Sequence, residues 1–132
     1  MHLKITKKTE YALIALTHIK GNQDLLISSK DIAKHYNIPV ELMAKTLQIM
    51  ARVGYIKAIK GSRGGYHSNG NLNDISLKQF IESLEGPLAI SDCSSKNTCQ
   101  QLPTCNIKEP IKRINDNLLT FLDSISVVEI TK

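Results

Sequence analysis

Two helical patterns lie so close together in this chain that they predict a helical hairpin. Ser28 followed by Asp31 resembles a capping box and marks the start of a short helix. Asn37 and Pro39 then interrupt the helical pattern, and a proline is well tolerated at the first turn of a new helix. We therefore predict two helices joined by a tight turn, with the second helix over residues 40–53.

The predicted second helix has an apolar face and a polar face. Met43, Leu47 and Met50 recur at intervals of four and three residues, which places them on one inward stripe. The outward positions of its first turns are small or polar: Glu41, Ala44, Lys45 and Gln48. This pattern is typical of a helix-turn-helix whose second helix reads the DNA major groove, although a plain helical hairpin shares it.

A β-hairpin pattern follows this helix directly. Residues 55–59 form a short alternating run, and the basic stretch KGSRGG then leads into Tyr66. A hairpin that directly follows a recognition helix is a wing, so we predict a winged helix-turn-helix that is mainly α with a small β-hairpin. A phosphate-binding loop would need the order strand-GxxxxGK[ST]-helix, which this stretch lacks.

The charge of the chain agrees with double-stranded DNA as a partner. The net charge of +5 favours an acidic partner such as nucleic acid. The wing carries three cations that we expect along the phosphate backbone: Lys57, Lys60 and Arg63. We expect three further DNA contacts at the start of the first hairpin helix: Ser28, Ser29 and Lys30.

The C-terminal part of the chain carries a long apolar seam, after a shorter predicted helix bounded by Ser76 and Gly86. The members of the seam recur at steps of four, three, four, three and four residues: Ile107, Ile111, Ile114, Leu118, Phe121 and Ile125. A period of 3.5 residues predicts a helix that packs along its length against another helix. We interpret the seam as a homodimer interface, with burial in the chain's own core as the alternative. A two-fold dimer predicts a partly palindromic operator.

All three cysteines lie in one polar stretch, DCSSKNTCQQLPTC, at the spacing C-x5-C-x5-C: Cys93, Cys99 and Cys105. The sequence shows no signal peptide and no run of about 18 apolar residues, so we expect a cytoplasmic protein without a membrane partner. Thiols stay reduced in the cytoplasm, and the cluster therefore indicates a metal or redox site rather than a disulfide. A closed tetrahedral zinc site needs four ligands, so a fourth would come from elsewhere.

The order of these parts resembles the bacterial iron-sulfur winged-helix transcription regulators, a family that includes IscR, NsrR and RirA. The resemblance covers nearly the whole chain, and its most specific parts are RVGYIKAIKGSRGGY and the spacing of the three cysteines. It implies a DNA-binding protein that is not an enzyme. It also implies three parts of one integrated folding unit: a winged helix-turn-helix at 1–86, a cluster-binding loop at 87–109, and a dimerisation helix with its tail at 110–132.

The ligand pattern is most similar to that of NsrR. IscR-like members have a histidine three residues after the last cysteine, where this chain has Lys108. NsrR-like members use a carboxylate on the first helix of the partner subunit, and the matching position is Glu10. The resemblance thus implies a cluster held by Glu10 together with Cys93, Cys99 and Cys105. His18 stays open as an alternative ligand, and a solvated acid at a helix start is the other interpretation of Glu10.

Three functions follow from these ligand sets. With a 4Fe-4S cluster, which we expect rather than 2Fe-2S, the resemblance implies a repressor that leaves DNA when nitric oxide attacks the iron. With a 2Fe-2S cluster, the resemblance implies an IscR- or RirA-like regulator of iron-sulfur assembly or iron homeostasis. A third interpretation is a DNA-binding dimer that is braced by zinc and senses nothing.

Overall fold

The computed structural model describes residues 5–70, 72, 74–90 and 103–131. Three helices come first: α1 (Lys7–Lys20), α2 (Ser29–Tyr36) and α3 (Val40–Arg52). A two-stranded antiparallel sheet follows, made of β1 (Ile56–Ile59) and β2 (Gly65–Ser68). The remaining helices are α4 (Leu77–Glu85), α5 (Lys108–Asp123) and the short α6 (Val127–Ile130). The predicted mainly α fold with a β-hairpin wing is confirmed.

The core lies where α1, α2, α3 and α4 meet. Helix α1 begins after Thr6, whose side chain accepts a hydrogen bond from the backbone of Thr9. The fully buried apolar side chains come from these four helices, the first strand and Val127 of α6, because each of the four helices turns one apolar stripe inward. They include Leu16, Ile19, Ile32, Met43, Leu47, Met50, Ile56 and Phe80.

The tight turn between α2 and α3 forms as the sequence predicts. The Ser28 hydroxyl accepts a hydrogen bond of 3.1 Å from the backbone N–H of Asp31 and so caps α2. Asn37 ends α2 in the left-handed conformation with φ 55°, and Pro39 immediately precedes α3. The predicted end of α3 differs from the observed one by a single residue, since Val53 is the C-cap.

The wing is fastened to the body at its base and turns sharply at its tip. Ile27 and Tyr66 form an isolated bridge through backbone hydrogen bonds of 2.9 and 2.8 Å. At the tip, Gly61 has φ 116°, and a Cβ on Gly64 would collide with the backbone carbonyl oxygen of Ile59. The two glycines therefore allow the short connection that brings the basic run back toward the body.

The C-terminal helix is shorter than the apolar seam predicts. A single helix through Ile125 was expected, but α5 ends at Asp123 and the chain turns back onto the start of α4. Ile125 accepts a backbone hydrogen bond of 2.7 Å from Leu77, and Val127 donates one of 3.0 Å to Ile75. These long-range bonds replace the next helical turn. None of the helices in the described ranges is both long and apolar enough to cross a membrane.

Candidate DNA interface and metal-ligand residues

Helix α3 presents the polar face that the sequence predicts. Glu41, Lys45 and Gln48 are exposed and Ala44 is half-buried. The opposite face is fully buried and packs into the core through Met43, Leu47 and Met50. Helices α2 and α3 pack against each other, and the exposed side chains in the first turns of α3 are available to enter a groove.

The start of α2 lies beside this surface in sequence and carries the other predicted contacts. The Ser28 hydroxyl is already engaged as the helix cap, whereas Ser29 is half-buried and Lys30 is exposed. The N-terminus of a helix presents free backbone N–H groups, which suit a phosphate. The Ser28 hydroxyl acts as an acceptor in the cap, so its own O–H is still available to donate to a phosphate.

The three cations of the wing are all exposed. Lys57 lies in β1, while Lys60 and Arg63 lie in the connection between the strands. The ion pairs found within the described part of the chain join other residues: Lys7 with Glu10, Lys78 with Glu82 and Lys112 with Asp116. The wing cations thus present their charge to solvent.

An apolar stripe along α5 is exposed in the part of the chain that the structure describes. Ile107, which is the N-cap of α5, is more than half exposed, and so are Ile114 and Phe121 on the helix. Three other members of the predicted seam are half-buried, namely Ile111, Leu118 and Ile125, the last of which lies beyond the helix. Burial in the chain's own core, the alternative interpretation, is therefore wrong for the exposed members of the seam.

The predicted metal ligands are only partly described. Cys93 and Cys99 lie outside the described residues. Cys105 is a half-buried free thiol just before α5. Glu10 is half-buried in the first turn of α1, where its carboxylate pairs with the Lys7 ammonium group at 3.2 Å. Within the residues that the structure describes, no three potential ligands from one chain come together.

His18 has an evident structural task. Its Nδ1 atom and the Tyr36 hydroxyl form a hydrogen bond of 2.8 Å. Its ring centroid lies 5.3 Å from that of Tyr36 and 5.4 Å from that of His35, so the three rings form a small cluster between α1 and α2. These contacts favour the interpretation of His18 as a residue that joins two helices.

Two side chains hold the backbone that leads toward the cysteine stretch. The Glu82 carboxylate accepts a hydrogen bond of 3.1 Å from the Leu88 N–H, and Asn115 Oδ1 accepts one of 3.0 Å from the Ile90 N–H. Asn115 is only 6% exposed, although it lies on α5, whose apolar residues Ile114 and Phe121 are exposed. Burial alone would raise the pKa of Glu82, but the hydrogen bonds from Leu88 and Lys78 and the Lys78 charge outweigh it and lower that pKa.

The sequence did not reveal Asn115 or Glu82 as functional candidates, because neither belongs to a motif or an apolar repeat. A further contact ties α1 to the end of α4, since the buried Thr9 hydroxyl donates a hydrogen bond to the Glu85 carboxylate. Thr9 directly precedes Glu10, and Glu85 is the last residue of α4 before the segment that leads to the cysteines. A side chain in the first turn of α1 is therefore anchored close to the start of that segment.

Together, these features define a winged-helix DNA-binding protein with a basic wing and an uncovered apolar helix. A family model described as iron-dependent transcriptional regulators, Rrf2, matches residues 5–132. The chain belongs to the Rrf2 family of transcription regulators. Because this family consists of transcription regulators, the chain is a regulator and not an enzyme.

Solved structures share the fold over almost the whole chain. CymR of B. subtilis, the global cysteine regulator, is 24% identical with a TM-score of 0.73, covering 98% of this chain and 97% of CymR. IscR of T. potens is 21% identical with a TM-score of 0.70, covering 98% and 87% of the two chains. CymR of Staphylococcus aureus is 22% identical with a TM-score of 0.69, covering 96% and 97%. At these identities the similarity establishes the fold alone.

Proposed function

We propose that the chain is an iron-sulfur cluster-dependent transcription regulator that binds double-stranded DNA as a homodimer. The observation that carries this proposal is the match to iron-dependent regulators over residues 5–132, in a chain whose three cysteines have the spacing C-x5-C-x5-C. Cysteine thiolates are the usual ligands of iron-sulfur clusters. A structural zinc site would need four ligands from the same limited set.

The recognition helix reads the operator through its exposed polar side chains. Glu41 can accept a hydrogen bond from cytosine N4, and Lys45 can donate to guanine O6 and N7. Both are exposed in the first half of α3, with Gln48 one further turn along. Ala44 allows close approach of the helix to the groove. Two copies related by a two-fold axis require a partly palindromic operator.

The wing supplies affinity rather than sequence preference. Lys57 in β1 and Lys60 and Arg63 in the connection between the strands are exposed, and long cationic side chains suit the phosphate backbone better than base edges. The start of α2, with Ser28, Ser29 and Lys30, adds backbone and side-chain donors for the DNA phosphates.

We expect Lys60→Ala and Arg63→Ala each to weaken binding to all DNA sequences by a similar factor. When one phosphate contact is lost, DNA binding releases fewer counterions. The slope of the logarithm of the binding constant against the logarithm of the salt concentration therefore becomes shallower by about 1. Fluorescence anisotropy titrations at several salt concentrations measure that slope. Lys112→Ala is the matched control, because it removes the same charge from α5 instead of the wing. A loss confined to one DNA sequence, with an unchanged slope, would contradict the phosphate role.

The uncovered stripe on α5 supplies the dimer interface. Ile114 and Leu118 lie near its centre, and an apolar helix seam of this period packs against a second helix. A second copy of the same stripe is its natural partner, because a two-fold interface pairs the same surface on both subunits.

The proposed cluster is a 4Fe-4S cluster held by Cys93, Cys99 and Cys105, with Glu10 of the partner subunit as the fourth ligand. Lys108 stands where a histidine ligand would stand in IscR-like members, so the fourth ligand has to come from another part of the dimer. The resemblance to NsrR-like members, which use a carboxylate on the first helix of the partner subunit, supports Glu10 in this role. Cys105 is a free, half-buried thiol, as a ligand residue must be before metal binds.

A carboxylate ligand accounts for nitric oxide sensing. When bound, the cluster supplies iron that reacts with nitric oxide. As a ligand, Glu10 would hold iron less firmly than a thiolate does, whereas the three cysteines would retain the cluster. Glu10 lies on α1 of the DNA-binding part, and its neighbour Thr9 donates a hydrogen bond to Glu85 at the end of α4. Loss of the bond to Glu10 would therefore remove a restraint on α1, and this supports a nitric oxide-responsive repressor.

The alternative function is an IscR- or RirA-like regulator of iron-sulfur assembly or iron homeostasis with a 2Fe-2S cluster. His18 is the alternative to Glu10 as fourth ligand of either cluster, and its Nδ1 atom is already hydrogen-bonded to the Tyr36 hydroxyl. A zinc-braced dimer without sensing is a third candidate. The amounts of iron, sulfide and zinc in the anaerobic protein separate the three.

A further inference from the structure

The first turn of α3 exposes two large apolar side chains. Val40 is 45% exposed and Leu42 is 49% exposed, on either side of Glu41. Successive residues on a helix are rotated by about 100°, so Val40 and Leu42 lie on the two sides of Glu41. Glu41 itself points away from the core, in which Met43 is fully buried.

Neither side chain is required to fill the core of this chain, and alanine is the better helix former at both positions. Leu25, Leu26 and Val53 are exposed to a similar degree, so the place of Val40 and Leu42 in the fold, rather than their exposure alone, indicates a partner. They lie at the N-terminal end of the second helix of a helix-turn-helix, the part that meets base edges, and an exposed basic wing follows in the same chain.

One base carries an apolar group in the major groove. The C5-methyl of thymine is contacted by apolar side chains, whereas the other bases are distinguished in this groove by hydrogen-bond donors and acceptors. We propose that Val40 and Leu42 read thymine methyl groups on either side of the base contacted by Glu41. This inference rests on the proposed DNA-binding function and adds to it two specificity-determining residues and the base that they select.

The test removes the methyl group and the side chain separately. The full-length dimer is first used to select its preferred operator from random sequences. Each thymine of a half-site is then replaced by deoxyuridine, which lacks only the methyl. We expect the wild-type protein to lose about four-fold in affinity for each methyl that Val40 or Leu42 contacts, the factor that burial of one CH₂ group carries.

The variants Val40→Ala and Leu42→Ala should bind the thymine operator more weakly and should no longer distinguish thymine from uracil at their own position. Val53→Ala is the matched control. Val53 is 42% exposed at the opposite end of the same helix, so its removal should leave the full uracil penalty in place. Circular dichroism confirms that the helices are retained, as the higher helix propensity of alanine predicts.

Two results would overturn the inference while leaving the proposed function intact. One is sequence-selective binding in which no uracil replacement weakens the wild-type protein. The other is a uracil penalty of equal size in the wild type and in both variants. This second result would also overturn the inference if the variants changed the sedimentation of the free protein, because Val40 and Leu42 would then take part in a protein contact. A complete lack of sequence-selective DNA binding would overturn both the inference and the proposed function.

Discussion

The Ile114→Asp variant should be a monomer at micromolar concentration, where the wild-type protein should be a dimer. Ile114 is more than half exposed near the centre of the apolar stripe on α5. In a dimer it would be buried against the partner helix, and an unpaired carboxylate at that place costs several kcal/mol. The dissociation constant of the dimer should therefore rise by at least about a thousand-fold.

Sedimentation velocity over a range of concentrations measures this change. The fold of the single chain should survive, because the side chain at position 114 is not part of the core. Thr120→Asp is the control, since it adds the same charge to an exposed residue of α5 outside the seam. The monomeric variant should also lose most of its operator affinity, because a monomer contacts one half-site, whereas the dimer contacts both half-sites at once. A dimer of undiminished stability in Ile114→Asp would show that the stripe is not the interface.

The Cys105→Ala variant should fail to assemble a normal cluster, whereas Glu10→Ala should retain some cluster with altered stability. Three thiolates hold the cluster firmly, and a carboxylate contributes a weaker bond. Iron and sulfide analysis and anaerobic absorption spectra measure assembly, and stopped-flow mixing with nitric oxide measures the reaction rate. The Glu10 variant should differ from the wild type in that rate.

Lys7→Ala is the control for Glu10. It removes the ion pair of 3.2 Å but leaves the carboxylate in place, so it separates the role of Glu10 in the helix from its role as a ligand. If Glu10→Ala shows wild-type spectra, nitrosylation rates and cluster-dependent DNA binding, Glu10 is not the ligand. His18→Ala is then the next variant to compare. Tyr36→Phe is its control, because it removes the hydrogen bond between His18 and Tyr36 but keeps the imidazole.

Local sequence patterns predict the helix-turn-helix and the wing because their determinants are local. Ser28, Asn37 and Pro39 act within one or two helical turns of their own positions, and the glycines of the wing act within the connection itself. The same is true of the helix between Ser76 and Gly86, where Ser76 and Gln79 form a full capping box. The positions of these capping and turn residues in the sequence were enough to predict where the helices begin and end.

Long-range contacts were not predictable from such patterns. Helix α5 ends before Ile125 because Ser76 and Ser126 meet in an isolated bridge, 50 residues apart in the chain. Asn115 reaches the backbone of Ile90 across 25 residues, and a single buried amide leaves no periodic trace. Periodicity shows which side of a helix is apolar, but it does not show where a tertiary contact will stop that helix.

The candidate sites divide in the same way. The polar face of α3 and the cations of the wing follow from period and composition, whereas Val40 and Leu42 were overlooked because an apolar residue in a helix is first assigned to a core. The proposed cluster depends on residues from two subunits. A sequence pattern can suggest Glu10 as a ligand only through resemblance to a family, since no spacing within one chain joins it to Cys105.

Metal content and DNA binding, measured on the same anaerobically purified sample, test most directly whether this regulator is controlled by an iron-sulfur cluster. We predict a brown dimer with iron and inorganic sulfide in equal amounts, about four of each per subunit, that loses its operator affinity when nitric oxide is added. About two of each would instead indicate the 2Fe-2S alternative. A colourless protein that contains zinc or no metal, and whose DNA binding is unchanged by nitric oxide, would contradict the proposal.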